Sequence, residues 1–164
     1  MMLVISHRGN LDGQEKSLEN QPEHIKRCIR GLEINVEIDL WAFENGEHTE
    51  LYLGHDEPQY GISTKWLLDF SNFLWIHCKN MQALVYLHNH PDTHRFNYFW
   101  HETDDYTITS KGYIWAYPGN SLNLPSRAIA VMPEQHNIDL RYFCGVCTDN
   151  AEHYVTHDRK VSYI

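Results

Sequence analysis

A short (β/α)8 barrel of the TIM type, with several outer helices reduced or missing, is the fold class that the sequence predicts. Three observations point to it. Apolar strand-like runs alternate with helix-like segments, the mark of a mainly parallel α/β sheet. Polar residues gather at the C-terminal ends of those runs, where barrels of parallel strands carry their active sites. The chain has 164 residues, fewer than the roughly 200 at which complete barrels of this kind begin. The outer layer must therefore be incomplete, and an open or stripped barrel is the alternative.

Taken in order, Leu3-Val4-Ile5-Ser6 reads as a buried first strand that delivers His7-Arg8-Gly9-Asn10 at its C-terminal end. From Pro22, the residues Ile25, Cys28, Ile29 and Leu32 keep the spacing of one buried helical stripe, with Pro22 in the first turn and Gly31 near the end. Val36-Glu37-Ile38-Asp39-Leu40 is the second strand. Asn45-Gly46 suits a tight hairpin, and Thr49 to Leu53 returns as a strand to Gly54-His55-Asp56, which brings His55 back beside the acids. Thr64 to Phe70 is weakly helical, and Phe73 to Lys79 is a third strand with His77 and Lys79 on one face. Asn80 can cap a helix in which Met81, Leu84, Val85 and His88 keep helical spacing, closed by Pro91.

Phe96 to His101 is the fourth strand, and beyond it the helices thin out. Tyr106 to Thr109 and Tyr113 to Tyr117 are strand-like with only Ser110-Lys111-Gly112 between them, too short for a helix. Ala128 to Met132 is a further buried strand, Ile138 to Phe143 a short helix, and Cys144 to Asp149 the closing strand. There is no internal repeat and no domain boundary, so residues 1–164 are expected to form a single domain.

The formal charge of −9 is the wrong sign for neutralising a phosphate backbone, so nucleic acid is not an expected partner, and anionic membranes are a poor platform for the same reason. No apolar run is long enough to span a bilayer, and Met1 to Ile5 passes straight into Ser6-His7-Arg8 without a signal-peptide core. Cys28, Cys78, Cys144 and Cys147 are too sparse for a secreted disulfide scaffold, and a cytoplasmic location with reduced thiols is expected.

The chemistry centres on Glu37 and Asp39. Side chains alternate along a strand, so these two carboxylates share one face while Val36, Ile38 and Leu40 take the other. Like charges that close hold one group protonated unless a cation lies between them, and hard divalent cations prefer oxygen ligands. On this pair alone a metal site and a solvated acidic face are both open.

The order His7-Arg8-Gly9, Glu19-Asn20, Glu37-Ile38-Asp39, Asn45-Gly46 and Gly54-His55-Asp56, with Gly145 to Asp149 as closing strand, resembles the glycerophosphodiester phosphodiesterase family, relatives of the phosphoinositide phospholipases C. The resemblance implies a metal-dependent phosphodiester hydrolase. His7 and His55 would be its general acid and base, Arg8 and Lys79 would hold the phosphate, and Glu37 and Asp39 would bind a divalent ion. Where the family usually has a third acidic ligand this chain has His77, which leaves Mg²⁺, Ca²⁺, Mn²⁺ and Zn²⁺ all open. His101 and Glu134 are further candidates because each follows a strand end on the same rim, whereas Asp149 is expected to act as a structural cap. A small-molecule or saccharide-linked phosphodiester is the expected partner, and an exposed barrel wall would favour a homo-oligomer. The alternative is a non-catalytic descendant that keeps a phosphate-ligand pocket without turnover.

Overall fold

The structure is a computed structural model and describes residues 2–117, 127–136 and 138–161. Its first strand, β1 (Leu3–His7), leads through a loop into α1 (Pro22–Leu32) and then β2 (Asn35–Asn45). A hairpin returns as β3 (His48–Leu53), followed by β4 (Tyr60–Ile62), α2 (Thr64–Phe70), β5 (Leu74–Cys78) and α3 (Met81–Asn89). The second half contains β6 (Asn97–Phe99), β7 (Tyr106–Ile108), β8 (Ile114–Ala116), β9 (Ala128–Val131), β10 (Gly145–Thr148) and α4 (Ala151–Val161).

The strands β6, β5, β2, β1, β10, β9 and β8 lie side by side in parallel, and β7 flanks β8 antiparallel. The result is an α/β architecture with a curled eight-strand sheet of the half-barrel kind, broadly TIM-like, in which four helices are described. The C-terminal half of β2 carries β3 and β4 as an antiparallel flap. At the ends of the curl, Ser110 N donates to Tyr98 O at 2.8 Å and Tyr98 N to Ser110 Oγ at 3.0 Å, which links β6 to the β7–β8 turn without a strand pair.

Alternation along the strands divides the core in two. Val36, Ile38, Leu40, Leu74, Ile76 and Cys78 point outward into a cluster closed by Ile25 and Ile29 of α1, Leu67 and Phe70 of α2, and Ala83 and Leu87 of α3. Ile5, Trp75, Phe99, Trp115, Ile129, Val131 and Cys147 fill the concave side. Glu37 and Asp39, alternating with the outward set, therefore face the concave side. The outer helices have local reasons. Pro22 opens α1, Ser63 accepts from Trp66 N to start α2, and Asn80 accepts from Ala83 N to start α3. Asn80 also exchanges two hydrogen bonds with the Ala42 backbone, extending the β2–β5 pairing by one side chain.

The strand β4 and the helix α4 were not expected from the sequence, and the expected elements recur with three further differences. The run Ile138 to Phe143 contains only a single 3-10 turn at Leu140–Tyr142, where the Asp139 side chain caps Arg141 N. The fourth strand stops at Phe99, because the chain then turns to present the His101 carbonyl to His77. The second strand is longer than its apolar stretch, since its far half pairs with β3.

Gly54 connects β3 to His55 with φ +151°, and a Cβ there would lie 2.0 Å from the Glu57 carbonyl oxygen. Gly54→Ala is expected to cost at least about 2 kcal/mol by urea denaturation, the scale of a forced backbone rearrangement; unchanged stability would contradict this account of the turn.

Candidate active site at the C-terminal strand ends

The parallel register sets the site. His7 stands opposite Glu37, and Asp39 opposite His77 two residues further on, so β1, β2 and β5 bring the candidate residues to adjacent levels of one face. Directly after β1 the chain turns through Arg8 (φ +54°) and Gly9 (φ +93°). Arg8 N donates to the Glu37 carbonyl at 3.0 Å and to Glu37 Oε2 at 3.2 Å. Beneath this turn His24 Nε2 donates to Gly9 O at 2.9 Å, and a Cβ on Gly9 would meet the His24 ring at 3.0 Å. Glycine is required there both by conformation and by space.

Glu37 and Asp39 are 3 % and 0 % exposed. Asp39 is surrounded by donors. Asn20 Nδ2 lies at 2.9 Å, Arg8 Nε at 3.1 Å, His77 Nδ1 at 3.1 Å and Lys79 Nζ at 3.6 Å. Asn20, held at φ +58°, also accepts from Asp39 N at 3.0 Å, so its amide grips both backbone and carboxylate. Burial pushes the Asp39 carboxyl up, but the His77 hydrogen bond and the Arg8 and Lys79 charges outweigh it and hold the group well below the usual carboxylate range. Glu37 goes the other way, raised by burial and by the Asp39 charge.

His77 tells what this arrangement accommodates. Its Nε2 lies 3.2 Å from the His101 carbonyl, an acceptor only, so Nε2 carries the hydrogen. Nδ1 is thereby turned to Asp39 Oδ1 at 3.1 Å and Glu37 Oε1 at 3.9 Å. A lone pair facing two carboxylates is stable only with a positive charge between, either a proton or a metal ion. Donor atoms of Glu37, Asp39 and His77 all lie within 4.8 Å of one another, close to the span that ligands of one ion at about 2.0–2.5 Å can reach. The raised Glu37 carboxyl and the His77 orientation both fit a divalent ion, and these residues form a group that can hold one.

The other expected residues converge on a cavity of about 210 Å³ that includes His7, Arg8, His55 and Lys79 in its lining, with Trp100, His101, Trp115 and Tyr117 also among the residues around it. His7 is fixed through Nδ1, 2.8 Å from Asp149 Oδ1, and Asn10 Nδ2 donates to the same oxygen at 2.8 Å. His55 is fixed through Nδ1 by Asp56 at 2.7 Å. Each imidazole thus keeps Nε2 for other work. Arg8 is also 3.3 Å from Glu19. His101 lies parallel to His77 with ring centroids 4.5 Å apart, and its buried Nδ1 has no hydrogen-bond partner among the described residues. Burial, with the His77 and Lys79 charges, pushes its imidazole down to about 4.

Glu134 does not line that cavity. Its carboxylate accepts from Asp149 N at 3.0 Å and Thr148 Oγ1 at 2.9 Å, which places it behind Asp149. Asp149, expected to cap, instead gives its carboxylate to His7. Pairing of Ser6 with Thr148 brings the two next residues side by side, a relation visible only once the closing strand is known to return to the first. The roles of Asn20 and His24 were likewise hidden, since their partners, Asp39 on β2 and the Gly9 carbonyl, lie on other segments of the chain. Cys147 is buried on the concave side, its thiol pushed up by burial, while the Cys144 thiol contacts Ala128 O; all four cysteines are free.

No protein-family model, curated protein or solved structure matches this chain. Among the described residues no helix is long and apolar enough to cross a membrane.

The His7 imidazole stands above its ordinary 6.5: burial lowers it, but the Asp149 hydrogen bond and the Glu37 charge prevail. A raised imidazole contributes stability that is fully present below the unfolded value and is lost as pH rises through the folded one. In metal-free protein Asp149→Asn is therefore expected to lower the His7 titration seen by NMR, and to cost more stability near about pH 5.5 than near about pH 8.5. An equal cost at both would refute the pairing.

Proposed function

We propose that this chain is a metal-dependent phosphodiester hydrolase of the glycerophosphodiester phosphodiesterase type, on a shortened (β/α)8 barrel, acting on a small or saccharide-linked phosphodiester in the cytoplasm. The observation that carries the proposal is the meeting in one cavity of two imidazoles, each fixed through Nδ1 by a carboxylate, beside the buried Glu37, Asp39 and His77 group.

A divalent ion would be held by Glu37, Asp39 and His77 and would supply electrostatic stabilisation of charge building on a phosphate oxygen. Arg8 and Lys79 bind the phosphate from the protein side; both lean on Asp39, so they are positioned before substrate arrives. His55 lies below its ordinary value, chiefly through burial. Neutral, with its hydrogen on Nδ1 toward Asp56, it offers an Nε2 lone pair and takes a proton from the attacking hydroxyl or water. His7, drawn toward imidazolium by Asp149, gives a proton to the leaving oxygen. Base below and acid above 6.5 predict a bell-shaped kcat/KM profile, with the acid limb removed by His55 protonation and the alkaline limb by His7 deprotonation. A profile flat across that range would count against these roles.

A non-catalytic phosphate-binding descendant is the second reading, favoured by His77 in an acidic ligand's place and by the reduced outer layer. Hydrolysis of bis(p-nitrophenyl) phosphate and glycerophosphocholine by metal-stripped protein resupplied with Mg²⁺, Ca²⁺, Mn²⁺ or Zn²⁺ separates the two. We expect metal-dependent turnover that falls at least ~100-fold in His7→Ala and in Glu37→Gln. Cation binding without turnover points to a narrower substrate, and no turnover together with no cation binding by calorimetry favours the second reading. Exposed Phe43, Met81 and Val85 beside the hairpin and α3 support self-association; a monomer by light scattering at micromolar concentration would speak against a homo-oligomer.

A further inference from the structure

Two cavities meet at Arg8 and His55. One is the pocket already described; the other, of about 340 Å³ against about 210 Å³, continues past the same two side chains along Gln14, Lys16, Glu19, Asn20, Asp56 and Gln59. A phosphodiester has two arms, so a site that holds its phosphate between Arg8, Lys79 and the imidazoles needs room on both sides of phosphorus. The larger room lies beyond His55.

The chemistry of this second cleft is unlike that of the first. Apart from the His55 imidazole, its lining among the described residues is neither aromatic nor aliphatic, whereas Trp100, Trp115, Tyr117 and Val131 lie around the first pocket. Its rear is fixed: Glu19 Oε1 accepts from both Asn10 and Gln14 at 3.0 Å, and Glu19 Oε2 faces Arg8. Its front is unspent. The Lys16 ammonium and the Gln59 amide are exposed and make no side-chain hydrogen bond among the described residues, and the Asp56 carboxylate, 93 % exposed, gives one oxygen to His55 and keeps the other. Free donors and free acceptors over a mostly polar surface suit a group in which every hydroxyl both donates and accepts. An acyl chain would find nothing to cover it there, and a quaternary ammonium would find no aromatic face.

We infer that the cleft formed by Gln14, Lys16, Asp56 and Gln59 is a subsite for a saccharide ring carried on one arm of the phosphodiester. This rests on the phosphodiesterase reading and names its substrate class. Lys16 and Gln59 donate to ring hydroxyls, and Asp56 and Gln59 accept from them, while the phosphate stays with Arg8 and Lys79.

The test is calorimetry in Mn²⁺ with three probes: inorganic phosphate, phenyl phosphate and glucose 1-phosphate. Glucose 1-phosphate is expected to bind at least about tenfold tighter than either of the others, the scale of one or two added hydrogen bonds to charged or amide groups. In Lys16→Ala/Gln59→Ala, whose replaced side chains are exposed, the preference should collapse toward equality. Equal affinities in the unaltered protein, a preference for phenyl phosphate, or a preference that survives the double substitution would each overturn the subsite. Failure of all three probes to bind would overturn the phosphate site itself, and the subsite with it.

Discussion

Two carboxylates buried side by side on the concave face of β2 are the constraint to which the surrounding structure answers. A charge taken from water into a protein interior costs several kcal/mol unless partners replace its hydration. Asp39 has four such partners: Arg8 and Asn20 in the connection from β1 to α1, His77 on β5 and Lys79 just after it. Glu37 takes the Arg8 backbone N–H. Two of the partners are brought there by an unusual backbone conformation. Arg8 and Asn20 both adopt positive φ, a conformation that few residues other than glycine adopt readily. Such strain persists only where other contacts outweigh it, and here the Asp39 and Glu37 contacts do so.

The same constraint explains the division of labour between the faces of the sheet. The outward side chains of β2 and β5 are aliphatic and are closed by three helices, so the strands that carry the acids are the best anchored. The concave side holds aromatics, Trp75, Phe99 and Trp115, in a second cluster below the acids. In a curled half-barrel sheet these large rings fill the concave side with few residues. They also provide a dry floor, which strengthens the electrostatic interactions above it.

The histidines follow a single rule and reach different ends by it. In His7, His55 and His77 one ring nitrogen is committed to a fixed acceptor, and that commitment decides what the other nitrogen can do. Asp149 and Asp56 take Nδ1 of His7 and His55 and leave Nε2 free. The His101 carbonyl takes Nε2 of His77 and turns Nδ1 toward the acids. Proton-transfer candidates and a ligand candidate thus arise from one side-chain type through the acceptor to which each ring is anchored.

The sequence by itself determined the parts that depend on local spacing. Alternation placed Glu37 and Asp39 on one face opposite Val36, Ile38 and Leu40; Pro22, Asn80 and the helical stripes marked α1 and α3; and Asn45-Gly46 marked the hairpin that returns His55. The tertiary structure alone decided which of the remaining polar residues serve the site. Asp149 reaches His7 across the whole chain because β10 pairs with β1, Glu134 is drawn behind Asp149 by Thr148 and a backbone N–H, and the closure near Ser110 uses hydrogen bonds where strand alternation would suggest a pair. These contacts join residues far apart in sequence, and no local period records them. They are set by parallel register and by the need of buried polar groups for partners, both of which exist only once the sheet has curled.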